Sequence, residues 1–185
     1  MKKKILLFFL FYSLFFPLEA SIKQNIILNL EKIKNLTFNF KQKIDKKTEE
    51  GICTIEYPKK IYCSYDNFNK KIMVSNGKSL VIKNKNINQY YLYPLDKTPL
   101  DLILDKNFLI KNIKKSKGRI VDDKYLNFTI LSNENKINIF FDKNTYDLVG
   151  WQTEDIYQNL VITFIYNLVK NSNIDQKLFI LPKPY

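Results

Sequence analysis

Side chains that could carry acid–base chemistry are few and poorly placed. The chain of 185 residues has no His, which is the commonest general base and the usual partner of nucleophilic Ser or Cys. Two carboxylate pairs, Asp122-Asp123 and Glu154-Asp155, are adjacent in sequence. Because neighbours in a strand point to opposite faces, neither pair converges on a substrate. We therefore expect no enzyme, no catalytic residue, no metal and no cofactor, and keep an exported hydrolase as an alternative.

The two cysteines leave two interpretations open. Cys53 and Cys63 lie on consecutive predicted strands, on the apolar side of one hairpin. A disulfide requires that they face each other directly, with the turn centred on Pro58. A centre nearer Lys59 suits Tyr-Pro-Lys-Lys better and places them diagonally. We expect two buried thiols, with a disulfide as the alternative.

Apolar residues, many of them aromatic, alternate with polar ones in the first predicted strands. This period of two is typical of strands with one buried face. By itself the pattern favours an ordinary core, with a hydrophobic cavity lined by the same residues as the alternative. The predicted cavity residues are Leu36, Phe38, Phe40, Ile55, Ile61, Tyr65, Ile72, Val74, Leu80 and Ile82.

The elements that must position these residues are mostly strands. Ile22, Ile26, Leu30 and Ile33 predict a helix over 22–34. Turn signals such as Asn76-Gly77 then separate short strands. The predicted strands are 36–47, 51–57, 61–66, 71–75, 79–83, 86–93, 111–116, 119–122, 125–132, 136–142, 146–154 and 158–168. We expect about eleven antiparallel strands, a mainly β chain forming one strongly curved sheet or unclosed barrel.

A short helix interrupts this series of strands. Thr98 and Pro99 predict its start, and it ends near Lys106-Asn107. Its apolar residues are Leu100, Ile103 and Leu104. An apolar helix between strands must pack against another apolar surface, and we predict that it closes the mouth of the barrel.

The first twenty residues indicate export. Lys2, Lys3 and Lys4 precede an apolar run from Ile5 to Phe16, and Leu18-Glu19-Ala20 stands before Ser21. This is the layout of a secretory signal peptide, and the run is too short to span a bilayer. We predict a signal peptide over 1–20 and one domain over 21–185.

The formal net charge of +12 has a plain interpretation. Arg119 is the single Arg, and the remaining basic residues are Lys spread along a chain also rich in Ile and Asn. This indicates a compositional bias, because nucleic-acid readers depend on Arg for bidentate base contacts. We expect no nucleic-acid partner and no binding driven by charge.

Three segments resemble the LolA family, the periplasmic carriers of outer-membrane lipoproteins. The segment 36–42, Leu-Thr-Phe-Asn-Phe-Lys-Gln, resembles the family's first strand. The segment 72–80, Ile-Met-Val-Ser-Asn-Gly-Lys-Ser-Leu, resembles its Asn-Gly hairpin. Gln89 with 93–100, Tyr-Pro-Leu-Asp-Lys-Thr-Pro-Leu, resembles the strand that leads into its Thr-Pro helix. Gly150-Trp151 and the segment 179–182 add to a resemblance that runs from 22 to 182.

The resemblance implies an eleven-stranded unclosed barrel with inner helices as a lid. It implies a periplasmic, monomeric chaperone that receives acylated lipoproteins from an inner-membrane ABC transporter (LolCDE) and passes them to the outer-membrane receptor LolB. A LolB-like receptor or another exported lipid-binding domain is the alternative, but no lipobox Cys follows the apolar run. The family often has a lid-binding Arg before the Pro of its second strand, where this chain has Tyr57. We expect the Tyr57 hydroxyl to bind the lid instead.

Overall fold

The computed structural model describes residues 18–132, 135–155 and 158–184. The predicted signal peptide lies outside the described residues apart from its last three, which begin the first helix, α1 (Leu18–Lys32). This helix forms as the apolar spacing predicts, because Ile22, Ile26 and Leu30 share one side and are buried; Ile33, just after its end, is buried too.

Eleven strands follow in the described part of the chain. They are β1 (Asn35–Ile44), β2 (Lys47–Glu56), β3 (Lys60–Tyr65), β4 (Lys71–Asn76), β5 (Ser79–Asn84), β6 (Gln89–Pro94), β7 (Arg119–Val121), β8 (Tyr125–Ser132), β9 (Asn135–Asp142), β10 (Leu148–Glu154) and β11 (Leu160–Lys170). Short 3₁₀ turns cover Lys85–Ile87, Leu95–Lys97 and Gln176–Phe179.

All eleven strands form one antiparallel sheet in the order β6-β5-β4-β3-β2-β1-β11-β10-β9-β8-β7. The first and last strands of the chain, β1 and β11, pair at its centre, with Phe40 opposite Ile165. The edge strands β6 and β7 do not pair with each other, so the barrel is not closed. The fold class is therefore confirmed: mainly β, one unclosed antiparallel sheet with a few short helices.

Two further helices join the edge strands. They are α2 (Leu100–Ile103) and α3 (Lys106–Lys115). The Thr98 hydroxyl donates to the Leu95 carbonyl oxygen, at 2.8 Å, and does not cap α2. The predicted helix is shorter than expected, because α2 ends at Ile103 and not near Lys106-Asn107.

The predicted strand over 111–116 was wrong, because this segment belongs to α3. The Asp105 carboxylate caps the helix by accepting the Phe108 N–H, at 2.9 Å. Leu109 and Ile113, four residues apart, are then both fully buried on the side that faces the sheet. The buried residues Leu109, Ile110 and Ile113 follow a helical period. Only Ile113 lies within 111–116, so the period could not be recognised in that segment alone.

Candidate functional site

The inner face of the sheet is a continuous apolar surface. Strand register places Leu36 opposite Ile55, and Ile55 opposite Ile61, so these three side chains share one face. Leu80 lies opposite Ser75 and Ile82 opposite Met73, which continues the same face onto β5. Of the ten predicted cavity residues, eight lie on this face: Leu36, Phe38, Phe40, Ile55, Ile61, Tyr65, Leu80 and Ile82.

Ile72 and Val74 were wrongly placed on the inner face. Val74 pairs with Tyr62 and Val81, and Ile72 with Ser64 and Lys83, on the outer side of the sheet. The inward residue of this apolar run is Met73, which packs against the core. Val74 is nevertheless buried, because the C-terminal 3₁₀ turn Gln176–Phe179 lies against β3 and β4 on the outside.

The second half of the sheet supplies as much of the inner face as the first. The Trp151 ring lies 6.4 Å from that of Phe38, edge to face, which joins the two halves. Sequence reasoning left this half out, although the alternation in 125–132 would have revealed it. The inner residues of this half are Leu126, Phe128, Ile130, Ile137, Ile139, Phe141, Trp151 and Ile165.

All three helices pack on this inner face. The predicted lid residues Ile103 and Leu104 are almost fully buried in the core, at 1% and 0% exposure, and Leu100 packs at its margin. Ile26 and Leu30 of α1, and Leu109 of α3, belong to the same cluster. The helices therefore fill the space that an apolar ligand would occupy, and any ligand on the inner face must displace some of them.

The inner face ends in a buried ion pair. The Glu49 carboxylate binds Lys71, and its Oε1 lies 2.7 Å from the Lys47 Nζ. Burial alone would raise the pKa of Glu49, but the hydrogen bonds from the two lysines outweigh it and the pKa is lowered. The Lys71 Nζ also lies 3.8 Å from the centre of the Tyr65 ring. This charged group limits the apolar surface at the end opposite to the β2–β3 turn.

Cys53 and Cys63 form a disulfide, so the expectation of two thiols was wrong. Glu56 pairs with Lys60, which centres the turn on Pro58 and places the two cysteines directly opposite each other, with a Cα–Cα distance of 4.1 Å. The Tyr57-Pro58 peptide bond is cis. The bridge lies on the inner face between Phe38 and Met73 of the flanking strands.

Removal of this disulfide is expected to lower the free energy of unfolding by about 2–3 kcal/mol. The bridge restricts the unfolded chain, and without it the unfolded state regains that much chain entropy. Urea unfolding of the Cys53→Ala/Cys63→Ala variant measures the change. Reductant should lower the midpoint of the wild type to that of the variant and leave the variant unchanged. A wild type insensitive to reductant under unfolding conditions would contradict the bridge.

The β2–β3 turn contacts the C-terminus of α2, but not through the predicted group. Among the described residues, the buried Tyr57 hydroxyl has no hydrogen-bond partner, so the predicted bond to the lid was wrong. Burial raises the pKa of this hydroxyl well above its usual value. Another residue of the turn makes the contact instead: the Lys59 N–H donates to the Leu104 carbonyl oxygen, at 2.9 Å.

The Lys59 side chain adds a second link to the lid. Its Nζ lies 2.9 Å from Asp101 Oδ1 in α2, and both side chains are partly exposed. The hydrogen bond to Asp101 raises the pKa of Lys59 above its usual value, so the Lys59 ammonium group stays charged throughout the neutral range. Lys59 thus holds α2 against the sheet through a backbone bond and an ion pair.

Other kinds of site have little support in the residues that the structure describes. Among residues 18–132, 135–155 and 158–184, no group of three or more His, Cys, Asp or Glu side chains is placed to hold a metal ion. No helix in these ranges combines the length and the hydropathy that a membrane span needs.

Comparison with known proteins places this geometry in context. The family model described as outer membrane lipoprotein carrier protein LolA matches residues 31–181. No curated protein shows significant similarity to the chain.

One solved structure shares the fold at very low sequence identity, and two others superimpose less closely. An uncharacterized conserved protein from Thermus thermophilus superimposes with a TM-score of 0.53 at 7% identity, over 89% of this chain and 94% of that one. A LolA superfamily protein from Nitrosomonas europaea gives 0.45 at 7%, over 86% and 97%. A putative outer membrane lipoprotein-sorting protein domain from Vibrio parahaemolyticus gives 0.48 at 7%, over 88% and 96%. At these identities the likeness concerns the fold alone.

Proposed function

The chain belongs to the LolA family of outer membrane lipoprotein carrier proteins, and from this premise we propose that it is a non-enzymatic periplasmic chaperone that carries acylated lipoproteins between the two membranes. The signal peptide over 1–20 directs the domain of 21–185 to the periplasm. There the protein receives lipoproteins from a LolCDE-type transporter and delivers them to a LolB-type receptor. The observation that supports this most is the apolar inner face, covered by short helices that can exchange with a ligand.

The energetics of the task require such a surface. Each buried methylene is worth about 0.8 kcal/mol, so one long acyl chain represents on the order of ten kcal/mol. Lipoproteins carry two or three such chains and cannot cross water with them exposed. A carrier without ATP must also release them. Exchange of Ile103 and Leu104 for acyl chains replaces one set of apolar contacts with another, which keeps the net binding energy moderate.

The proposed cargo can be identified directly. The protein isolated from the periplasm is expected to bring acylated lipoproteins with it, and mass spectrometry of the complex detects their acyl chains. Absence of any acylated protein from material isolated without detergent, in cells that export lipoproteins, would contradict the proposed function.

A pair of isoleucines tests which face of the sheet holds the cargo. Ile82 on the inner face and Ile72 on the outer face are both half-buried and lie in neighbouring strands. Ile82→Asn should reduce lipoprotein uptake at least fivefold, because it places an amide against the acyl chains at a cost of about 1–3 kcal/mol. Ile72→Asn is the matched control and should leave uptake near that of the wild type. Equal uptake by both variants would exclude the inner face as the binding surface.

The Lys59–Asp101 pair is expected to favour the closed, empty state. Lys59→Met should shift the balance towards the open, loaded state by about fivefold, since a partly exposed ion pair is worth about 1 kcal/mol. Loading at limiting lipoprotein concentration should therefore rise, and transfer to the receptor should slow. Asp101→Asn should have the same effect, and the double variant should add nothing further.

Lys60→Met is the control for this prediction. Lys60 lies in the same turn but pairs with Glu56 and Gln176, away from α2. Its replacement should leave loading and release unchanged. Additive effects of Lys59→Met and Asp101→Asn would show that the two residues act separately.

A further inference from the structure

Four exposed cations lie beside the lid. Lys111, Lys114, Lys115 and Lys117 are all exposed along α3 and the segment that follows it, and we call this set the basic ridge. The stretch 106–119 contains no Asp or Glu. These lysines are already close together in the sequence, and the sequence analysis, which treated the lysines as evenly spread, overlooked them.

The direction of the ridge is fixed by the packing of α3. Leu109, Ile110 and Ile113 are buried towards the sheet, so the lysines of this amphipathic helix point away from it. Lys23 of α1 anchors the C-terminal end of α3, because its Nζ donates to the carbonyl oxygens of Lys114 and Ser116, both at 2.8 Å. The cations therefore project from a helix that is held in place at its end.

Few acids on neighbouring elements balance these charges. Glu31 of α1 lies 3.9 Å from the Lys114 Nζ, and both side chains are about half exposed, so solvent weakens the pair. The other nearby carboxylates, Asp101 and Asp105, are engaged by Lys59 and by the Phe108 N–H. Between α1 and α3 an open groove of ≈ 470 Å³ is lined by Glu31, Asn107, Ile110, Lys111, Lys114 and Lys115. The ridge thus keeps a large uncompensated positive charge.

We propose that the basic ridge docks on anionic phospholipid headgroups, so that the lid faces the membrane surface while acyl chains enter or leave. Lysine side chains are point charges that suit a diffuse layer of phosphates, whereas the planar forks of Arg, which suit bidentate recognition in nucleic acids and proteins, are nearly absent here. α3 packs directly against α2, the helix whose displacement opens the inner face. A membrane bound to the ridge therefore lies beside the opening.

This inference goes beyond the proposed function and is tested with no lipoprotein present. The mature protein is mixed with vesicles of phosphatidylcholine alone, or with about 30 mol % phosphatidylglycerol, and separated by flotation. Binding is expected only to the anionic vesicles, and it should weaken steeply between about 50 and about 200 mM salt as screening grows.

Charge variants locate the binding surface. Each basic group at an anionic surface is worth about fivefold in the partition coefficient, so Lys111→Glu/Lys114→Glu/Lys115→Glu should lower binding at least a hundredfold. The matched control is Lys46→Glu/Lys70→Glu/Lys85→Glu, which changes the net charge equally. Those three exposed lysines lie in turns at the opposite end of the sheet and should bind nearly as the wild type does. Circular dichroism checks that every variant is folded, and a triple Gln variant should show an intermediate loss.

Three outcomes would overturn the inference. They are equal binding to neutral and anionic vesicles, equal loss in the two triple variants, and no vesicle binding together with capture of an acidic protein by the ridge. Uptake of detergent-solubilised lipoprotein separates the two proposals, because it bypasses the membrane. The ridge variant should retain this uptake, so failure of docking and failure of the carrier function give different results.

Discussion

Replacement of Ile103 by Ala should destabilise the empty protein and at the same time favour its loading with acyl chains. Ile103 is 1% exposed within the inner core. Its truncation leaves a cavity that costs about 2–5 kcal/mol in the empty state. If acyl chains displace α2, the loaded state does not bear this cost. The loading equilibrium constant should then increase about thirtyfold or more, because the empty state is destabilised and the loaded state is not.

Two measurements together test this expectation. Urea unfolding, followed by fluorescence of Trp151, the single Trp, gives the loss of stability. Titration with lipoprotein gives the change in loading. Ile139→Ala is the matched control, because Ile139 is fully buried in the sheet wall, which both states need. It should lose similar stability with no gain in loading. An Ile103→Ala variant that is destabilised but loads no better would show that α2 stays in place when cargo binds.

Replacement of Gly150 by Ala should cost about 2–6 kcal/mol of the free energy of unfolding, from backbone strain and a steric clash combined. Gly150 has a φ of +155°, in a region that only glycine occupies readily. A Cβ there would lie 2.3 Å from the Thr163 carbonyl oxygen of the paired strand β11, so backbone must shift. The register of β9 and β10 also changes between Leu148 and Gly150, which makes this a bulge.

Gly77→Ala separates the two contributions. Gly77 also has a positive φ, +96°, but the nearest atom to an added Cβ is the Lys59 Cβ at 3.9 Å. Its replacement should therefore show mainly backbone strain, about 1–3 kcal/mol. Urea unfolding of both variants gives the difference. Equal losses would mean that β11 yields easily at Thr163 and that the close approach is not a constraint.

Most strands were predictable because one face of each is buried and the other is not. In β8, Leu126, Phe128 and Ile130 alternate with polar or exposed residues, and both predicted ends agree with the structure. Such alternation fixes the element and its inward side together. Eight of the ten predicted cavity residues were placed on the inner face for this reason.

The errors arose where local sequence does not determine tertiary surroundings. In 72–74 three apolar residues are consecutive, and a segment about a hundred residues later buries Val74 on the outer face, so the inward side could not be determined from the sequence. The predicted strand 111–116 contains a single apolar residue, Ile113, so this segment alone shows no period that separates a strand from a helix. The disulfide depended on a turn whose centre differs by about one residue between the two interpretations. The contacts of Lys59 with Asp101 and Leu104 could not be predicted from the sequence, because they depend on where α2 packs against the sheet.

The two free edges of the sheet, β6 and β7, are joined by one covalent link, the helical segment 95–118. A ligand that moves the two edges apart therefore pulls on this segment, which acts as a strap between them. The strap has length in reserve: four helical residues span about 6 Å and about 13 Å when extended, so unwinding α2 alone adds about 7 Å. The sheet can thus widen around a bulkier ligand without breaking any strand pair, up to a limit set by the contour length of this segment.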